Sequence, residues 1–258
     1  MKKYLWCFFL AFFVHYQPGY TQSFKVKPYL AYSQVRMDDV NRDIANRVGQ
    51  LRNIVDQPLL IPEKLNGNYG WGIQVQYHLG ENYFLNLNTY FFREETKSEY
   101  FQEGPPNTVN FLFKRQIEYI EASAGLKYYL GYNTWKRVNF YLGGGIGVGF
   151  GWTDALTKYT DGTNTVDNSG QYSSTALIAN FMGGAEIRLT PYFSLFPEAG
   201  YRLANLQQMN GRISVDQDFP GIPNGRLEAS DSNYTPEEIY DFSGFFISLG
   251  IGFILPFI

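Results

Sequence analysis

From Val138 to Thr153 the chain reads VNFYLGGGIGVGFGWT. Val138, Phe140, Leu142, Ile146, Val148, Phe150 and Trp152 take the even positions, and Gly143, Gly145, Gly147, Gly149 and Gly151 take odd ones. Successive side chains of extended chain point to opposite sides, so this spacing predicts a strand with one greasy face and one glycine face. A soluble sheet would clothe its second face with Lys, Glu or Thr. A glycine row suits a crowded interior lying behind an apolar exterior.

The same period of two recurs in seven further segments. Phe24–Ser33 sets Phe24, Val26, Leu30 and Tyr32 against Lys25, Lys27 and Tyr29. Tyr69–Leu79 sets Tyr69, Trp71, Ile73, Val75, Tyr77 and Leu79 against Gly70, Gly72, Gln74, Gln76 and His78, and Tyr83–Arg93 sets Leu85, Leu87 and Phe91 against Asn86 and Asn88. Ile117–Leu130, Thr175–Leu189, Phe193–Leu206 and Phe245–Phe257 alternate likewise, the last with Leu249, Ile251 and Phe253 on its apolar face. Short turns at Gly80–Asn82, Gly131–Arg137 and Thr190–Tyr192 alternate with long polar connections. The first long connection places Val40, Ile44, Ala45, Val48, Leu51 and Val55 at helical spacing amid Arg42, Asp43, Arg47 and Arg52, which predicts an amphipathic helix of about four turns. A cover over a barrel mouth or over its own loop, a plug, a face lying on anionic headgroups and a docking face for a partner all suit such a helix.

The chain begins with Lys2 and Lys3 followed by the apolar run Tyr4–Val14, too short for the roughly 20 residues of a spanning helix. Residues 1–21 are therefore expected to be a secretory signal peptide, cleaved near Thr21 or Gln22, with 22–258 as the exported domain. The sole cysteine, Cys7, lies inside that segment and precedes most of the apolar run, which disfavours a lipoprotein and leaves the exported part without thiol chemistry. Later in the chain no run is apolar enough for a membrane helix, yet 45% of residues are hydrophobic and 18% aromatic, with a mean hydropathy of -0.26. A wall of strands with apolar residues at alternate positions and aromatics at two interfaces accounts for that combination. The net charge of -3 gives no basic footprint, so nucleic acid is excluded as a partner.

The expected fold class is all-β: an eight-stranded antiparallel up-and-down transmembrane β-barrel with short periplasmic turns, long extracellular loops and a helical segment in the first loop. Pro28 and Pro197 each lack a ladder donor, so bulges or local strand ends are expected there. Apolar positions shift from odd (Val109, Phe111, Phe113) to even near Tyr119, which predicts a bulge and a wall extending past the membrane. On the signal segment, the glycine strand, the loop rhythm and the final alternating strand, the chain resembles the small outer-membrane β-barrel domain proteins of the OmpA transmembrane-domain and OmpX type. Such proteins end in an aromatic residue, whereas here Phe257 is penultimate and Ile258 last. The resemblance implies the outer membrane of a Gram-negative-type cell. Its implied partners are outer-membrane lipid and lipopolysaccharide, the barrel assembly machinery and a protein partner at the extracellular loops.

Lipid-facing positions are expected at Val138, Phe140, Leu142, Ile146, Val148, Phe150, Trp152, Leu249, Ile251 and Phe253. The interior is expected to hold a polar network of Lys27, Glu121, Lys127, Glu186, Arg188, Glu198 and Arg202, because an eight-stranded barrel has room for side chains but hardly for a column of water. These charges read as a structural core of paired groups, or as a narrow gated pore for ions or small solutes. A soluble periplasmic barrel around an apolar ligand is a further alternative, disfavoured by the Gly and Ser on the polar faces. Gly143–Gly151 is no nucleotide loop, since the alternation runs straight through it. His78 is the single histidine after residue 21 and falls at the periplasmic end, so no catalytic residue, metal site or cofactor is expected. Asp216, Asp218, Glu228, Asp231, Glu237, Glu238 and Asp241 make the last loop acidic, without the spacing of an EF-hand, and Gly104–Pro106 in the second loop is a turn-former. The expected role is structural or interactive: envelope stability, surface partner binding, or an accessory to a secretion or conjugation system.

Overall fold

The computed structural model describes residues 23–55, 62–102, 109–133, 135–160, 165–206, 209–214 and 239–256. The expected signal segment, the turn-former at 104–106 and the acidic positions from 216 to 238 lie outside the described residues. In chain order the elements are β1 (Ser23–Gln34), α1 (Asp38–Val55), β2 (Gly67–Gly80), β3 (Tyr83–Gln102), β4 (Val109–Tyr129), β5 (Val138–Thr160), β6 (Thr165–Arg188), β7 (Phe193–Leu203), β8 (Asn205–Leu206), β9 (Asn210–Ser214), β10 (Tyr240–Asp241) and β11 (Gly244–Pro256). Eight of the strands form an antiparallel ring, β5-β4-β3-β2-β1-β11-β7-β6, closed by β5 against β6. Closure pairs the strands around the ring, the condition a strand-built wall must meet in hydrocarbon, except on one side of β6 between Ser173 and Ala179, where the β7 ladder has ended and the β9 ladder has not begun.

The ring is taller on one side. β3 to β6 run for 20, 21, 23 and 24 residues, whereas β1, β2, β7 and β11 run for 12, 14, 11 and 13. The phase change near Tyr119 marks no bulge. β4 keeps one unbroken register with β3 and with β5 from end to end, so its odd residues face inward throughout. Phe111, Phe113, Ile117 and Tyr119 are buried above, and Glu121, Ser123, Lys127 and Tyr129 are buried below. What changes at Tyr119 is the polarity of each face.

Neither proline produces a bulge. Pro28 keeps its place opposite Ile73, and the β1–β11 ladder skips 27 and 28 before resuming in the same register. Pro197 pairs with Leu249, while the β6–β7 ladder is silent opposite 196 and 197 and then resumes unchanged. Each missing donor leaves a gap in one ladder, which the continuous neighbouring ladder holds in place. The register shift recorded in the wall lies between His78 and Gly80, beside the turn where Gly80 (φ 135) and Glu81 (φ 47) take positive angles.

Alternation along the strands divides the interior into three layers. At the short-turn end Phe84, Tyr129, Tyr141 and Phe196 form an aromatic floor with Tyr132 against it. The middle is polar and charged. Above it lies an apolar core that includes Phe92, Phe111, Phe113, Tyr119, Leu206, Met209 and Phe242, and into which α1 presses Val40, Ile44 and Val48. Asp38 and Asp39 in its first turn suit the positive end of the helix dipole. Asn41 ties the helix to the approach to β2 by two hydrogen bonds with the Leu65 backbone, at 2.9 and 2.8 Å. Of the readings open for this helix, the cover over the barrel mouth matches its position.

Candidate functional site

The polar middle layer is a stack of three carboxylates, each held by cations and hydroxyls from several strands. Glu198 of β7 sits at the centre. It accepts hydrogen bonds from Lys27 of β1 and Lys127 of β4, from the Tyr141 hydroxyl at 2.6 Å, from Gln74 at 3.1 Å and from Ser248 at 3.4 Å. Lys127 also donates to Gln74 Oε1 at 3.0 Å. Strands β1, β2, β4, β5, β7 and β11 thus converge on one carboxylate.

Toward the short-turn end, Glu186 takes Lys25 at 2.6 Å, Arg188 at 3.3 Å and the Ser194 hydroxyl at 3.3 Å. The Lys25 ammonium also lies 4.7 Å from the Phe84 ring centroid and 5.9 Å or less from those of Tyr129, Tyr132 and Phe196. This aromatic box supplies the attraction of ring faces for a cation. Toward the upper core, Glu121 accepts from Arg202 at 3.3 Å, Tyr119 at 3.2 Å and Asn88 at 3.2 Å. Arg202 donates onward to the Phe242 carbonyl at 3.1 Å and stands 5.0 Å from both the Tyr90 and Tyr119 rings. Every one of the seven interior positions named from sequence falls in this column. Alternation alone places Lys25 inward without marking it as a member of the network, and the aromatic partners that hold it come from three distant segments with no local signature.

The column leaves little space. A cavity of about 20 Å3 remains among Gln74, Asn88, Glu121, Glu198 and Arg202, room for about one water. The glycine face of β5 is filled by neighbours. A Cβ on Gly149 would lie 2.7 Å from the Tyr119 hydroxyl, and one on Gly151 would lie 2.5 Å from Leu206 Cδ1. His78 stacks on Phe84 at 4.5 Å and meets the Glu81 carbonyl at 3.0 Å, at the short-turn end. Among the described residues no group of three His, Cys, Asp or Glu is arranged to hold a metal.

Outside, Phe140, Leu142, Ile146, Leu249 and Ile251 are each half exposed or more, Val138, Phe150, Trp152 and Phe253 are somewhat less so, and Val148 is half-buried. Higher on the tall side, the outward face turns ionic: Lys114 meets Glu95 at 3.0 Å and Lys158 meets Asp167 at 2.7 Å. No described helix is long and apolar enough to cross a membrane.

Comparison with curated proteins gives no sequence match. Among solved structures the chain is similar to Ail, the attachment invasion locus protein of Yersinia pestis, at 14% identity and a TM-score of 0.44 over 92% of this chain and 100% of that one. It is also similar to OprG from Pseudomonas aeruginosa, at 12% identity and 0.45 over 92% and 97%, and to a major outer membrane protein from Thermus thermophilus, at 12% and 0.46 over 92% and 100%. The family described as outer membrane protein beta-barrel domain matches residues 6–253. A ring of eight antiparallel strands, apolar without and ionic within, and a family match over nearly the whole length agree: the chain belongs to the outer membrane protein beta-barrel domain family and resides in a Gram-negative outer membrane.

Proposed function

We propose that this barrel is a closed, non-conducting scaffold that anchors a rigid body at the cell surface and acts through what that body presents. The observation that carries this reading is the filled interior: three carboxylates bound by five cations, with a residual cavity of about 20 Å3 and a helix-capped apolar core above it. Opening a path for ions would separate buried charges from their partners, at a cost on the order of several kcal/mol each. In this reading residues 1–21 direct export, the apolar outward row meets lipid, and the charged column is a structural core. The assembly machinery inserts the barrel, the loops receive a protein partner, and no catalytic step is assigned.

The test is single-channel recording of the purified protein in a planar bilayer. The proposal expects no discrete steps for the wild type. Steps that disappear in Glu121→Ala or Arg202→Ala would instead make it a narrow pore.

A further inference from the structure

The ladder between β6 and β7 ends where Ala179 faces Leu203, and β6 finds its next partner on that side at Ser173, opposite Asn210 of β9. Between these points the chain that would continue β7 turns inward. Ala204, Leu206 and Met209 are buried in the upper core, Leu206 and Met209 lie against Gly151 of β5, and β8 pairs with β10 in place of β6. This retreat leaves a groove of about 750 Å3 on the outer face of the wall, within the range of about 300 to 1,000 Å3 typical of ligand pockets. Leu177, Ala179 and Leu203 line it on the membrane side, and Arg36, Asn205 and Asp241 line its polar end.

The height of the groove separates these two ends. Leu177 pairs with Val148, which precedes Trp152, the last apolar outward residue of β5 before Asp154. At roughly 2.5 Å of climb per residue of a tilted strand, Leu177 lies about 10 Å below that change of face and Arg36 about 5 Å higher than Leu177. The apolar walls therefore adjoin the outer acyl region and Arg36 stands closer to headgroup level. The Arg36 backbone N–H donates to the Asp241 carbonyl at 3.0 Å, and Asp241 Oδ1 accepts from the Ser243 N–H at 2.9 Å, so the rim is held in place. Leu177 is 86% exposed, and the groove opens sideways onto the apolar band, so an occupant enters from the bilayer.

We propose that this groove binds an acyl chain of a phosphorylated glycolipid of the outer leaflet, with its phosphate at Arg36 and a sugar hydroxyl at Asp241. A guanidinium matches a phosphate with paired donors, and a carboxylate accepts from hydroxyls. The site needs only the outer-membrane location and is independent of whether the lumen conducts.

The experiment is native mass spectrometry of the full chain in detergent, titrated with a diphosphorylated, acylated glucosamine disaccharide and with its dephosphorylated form. A heat-shifted gel band reports folding of each variant. The expected result is one saturable adduct that falls about ten-fold in Ala179→Trp, which fills the groove, and persists in Leu87→Trp on the opposite wall. Arg36→Gln should weaken binding of the phosphorylated probe about ten-fold and leave the dephosphorylated probe unchanged. Leu203→Trp replaces Ala179→Trp should the latter lose the folded band. Absence of a saturable adduct, several equal adducts indifferent to the groove variants, or indifference of the phosphorylated probe to Arg36→Gln would overturn the assignment.

Discussion

Below Glu121 and above Tyr119 the same strands build opposite kinds of interior. In the lower half the inward face is Lys27, Glu198, Lys127 and Gln74, and the outward face is Leu126, Leu142 and Ile251. In the upper half the inward face is Phe111, Phe113, Ile117 and α1's Ile44, and the outward face is Arg93, Glu95, Lys97 and Lys158. The pleat never slips; the solvent outside it changes. Against hydrocarbon the wall must turn its apolar side out, whereas above the headgroups water makes the same wall fold as a soluble sheet would, with its apolar side in. The inversion passes between Phe91 and Arg93 on β3, between Glu118 and Ile120 on β4, and between Trp152 and Asp154 on β5, and so traces the outer membrane border around the tall side.

Substitutions that violate each half's own rule should cost most. Glu198→Ala leaves Lys27 and Lys127 buried without their shared carboxylate, and stability should fall by about 3 to 5 kcal/mol. The midpoint of the urea-driven loss of the heat-shifted gel band measures this. Replacing the trio with Glu198→Leu, Lys27→Met and Lys127→Met should recover most of the loss, and a single variant as stable as wild type would deny that the column matters. Ile44→Ala in the upper core should cost about 2 to 5 kcal/mol. That loss should stay local, so limited proteolysis should cut near α1 while the lower barrel still shows its folded band. Leu142→Arg, near the middle of the apolar band, should cost about 2 to 4 kcal/mol. Val148→Arg, closer to the outer border, should cost less than Leu142→Arg, and equal costs at the two sites would displace the border. The smallest effect belongs above the line: Lys114→Ala breaks the pair with Glu95 in water and should change stability by about 0.2 to 1 kcal/mol.

Much of this was legible because period two is a local property. The eight ring strands, their faces, the short turns and the helix over Val40–Val55 follow from residue spacing alone, and the helix begins only two residues earlier, at Asp38. The upper halves of β3 to β6 were harder. There Phe111 and Phe113 take the phase of the inward face, and a reading that holds apolar to mean outward turns the change into a bulge. Every member of the charged column except Lys25 could be named, but their pairing could not: Lys25 and Glu186 are 161 positions apart, and Lys27 and Glu198 are 171 apart. The inward turn after Leu203 was hidden for a similar reason. Leu206 continues the outward-to-inward alternation of β7, and nothing local reports that Gly151, far earlier in the chain, has left space for it.

The inversion along β4 is open to direct measurement, since Cys7 is the only cysteine. In a Cys7→Ser background, single nitroxide labels at Lys114→Cys, Glu118→Cys, Ile120→Cys and Leu126→Cys can be probed in lipid vesicles with oxygen and with a water-soluble nickel chelate. The expected pattern is preferential collision with the chelate at 114 and 118 and with oxygen at 120 and 126, crossing over within two residues. Uniform access of the chelate along all four sites would contradict it, because the apolar face of β4 would then be meeting water and not lipid.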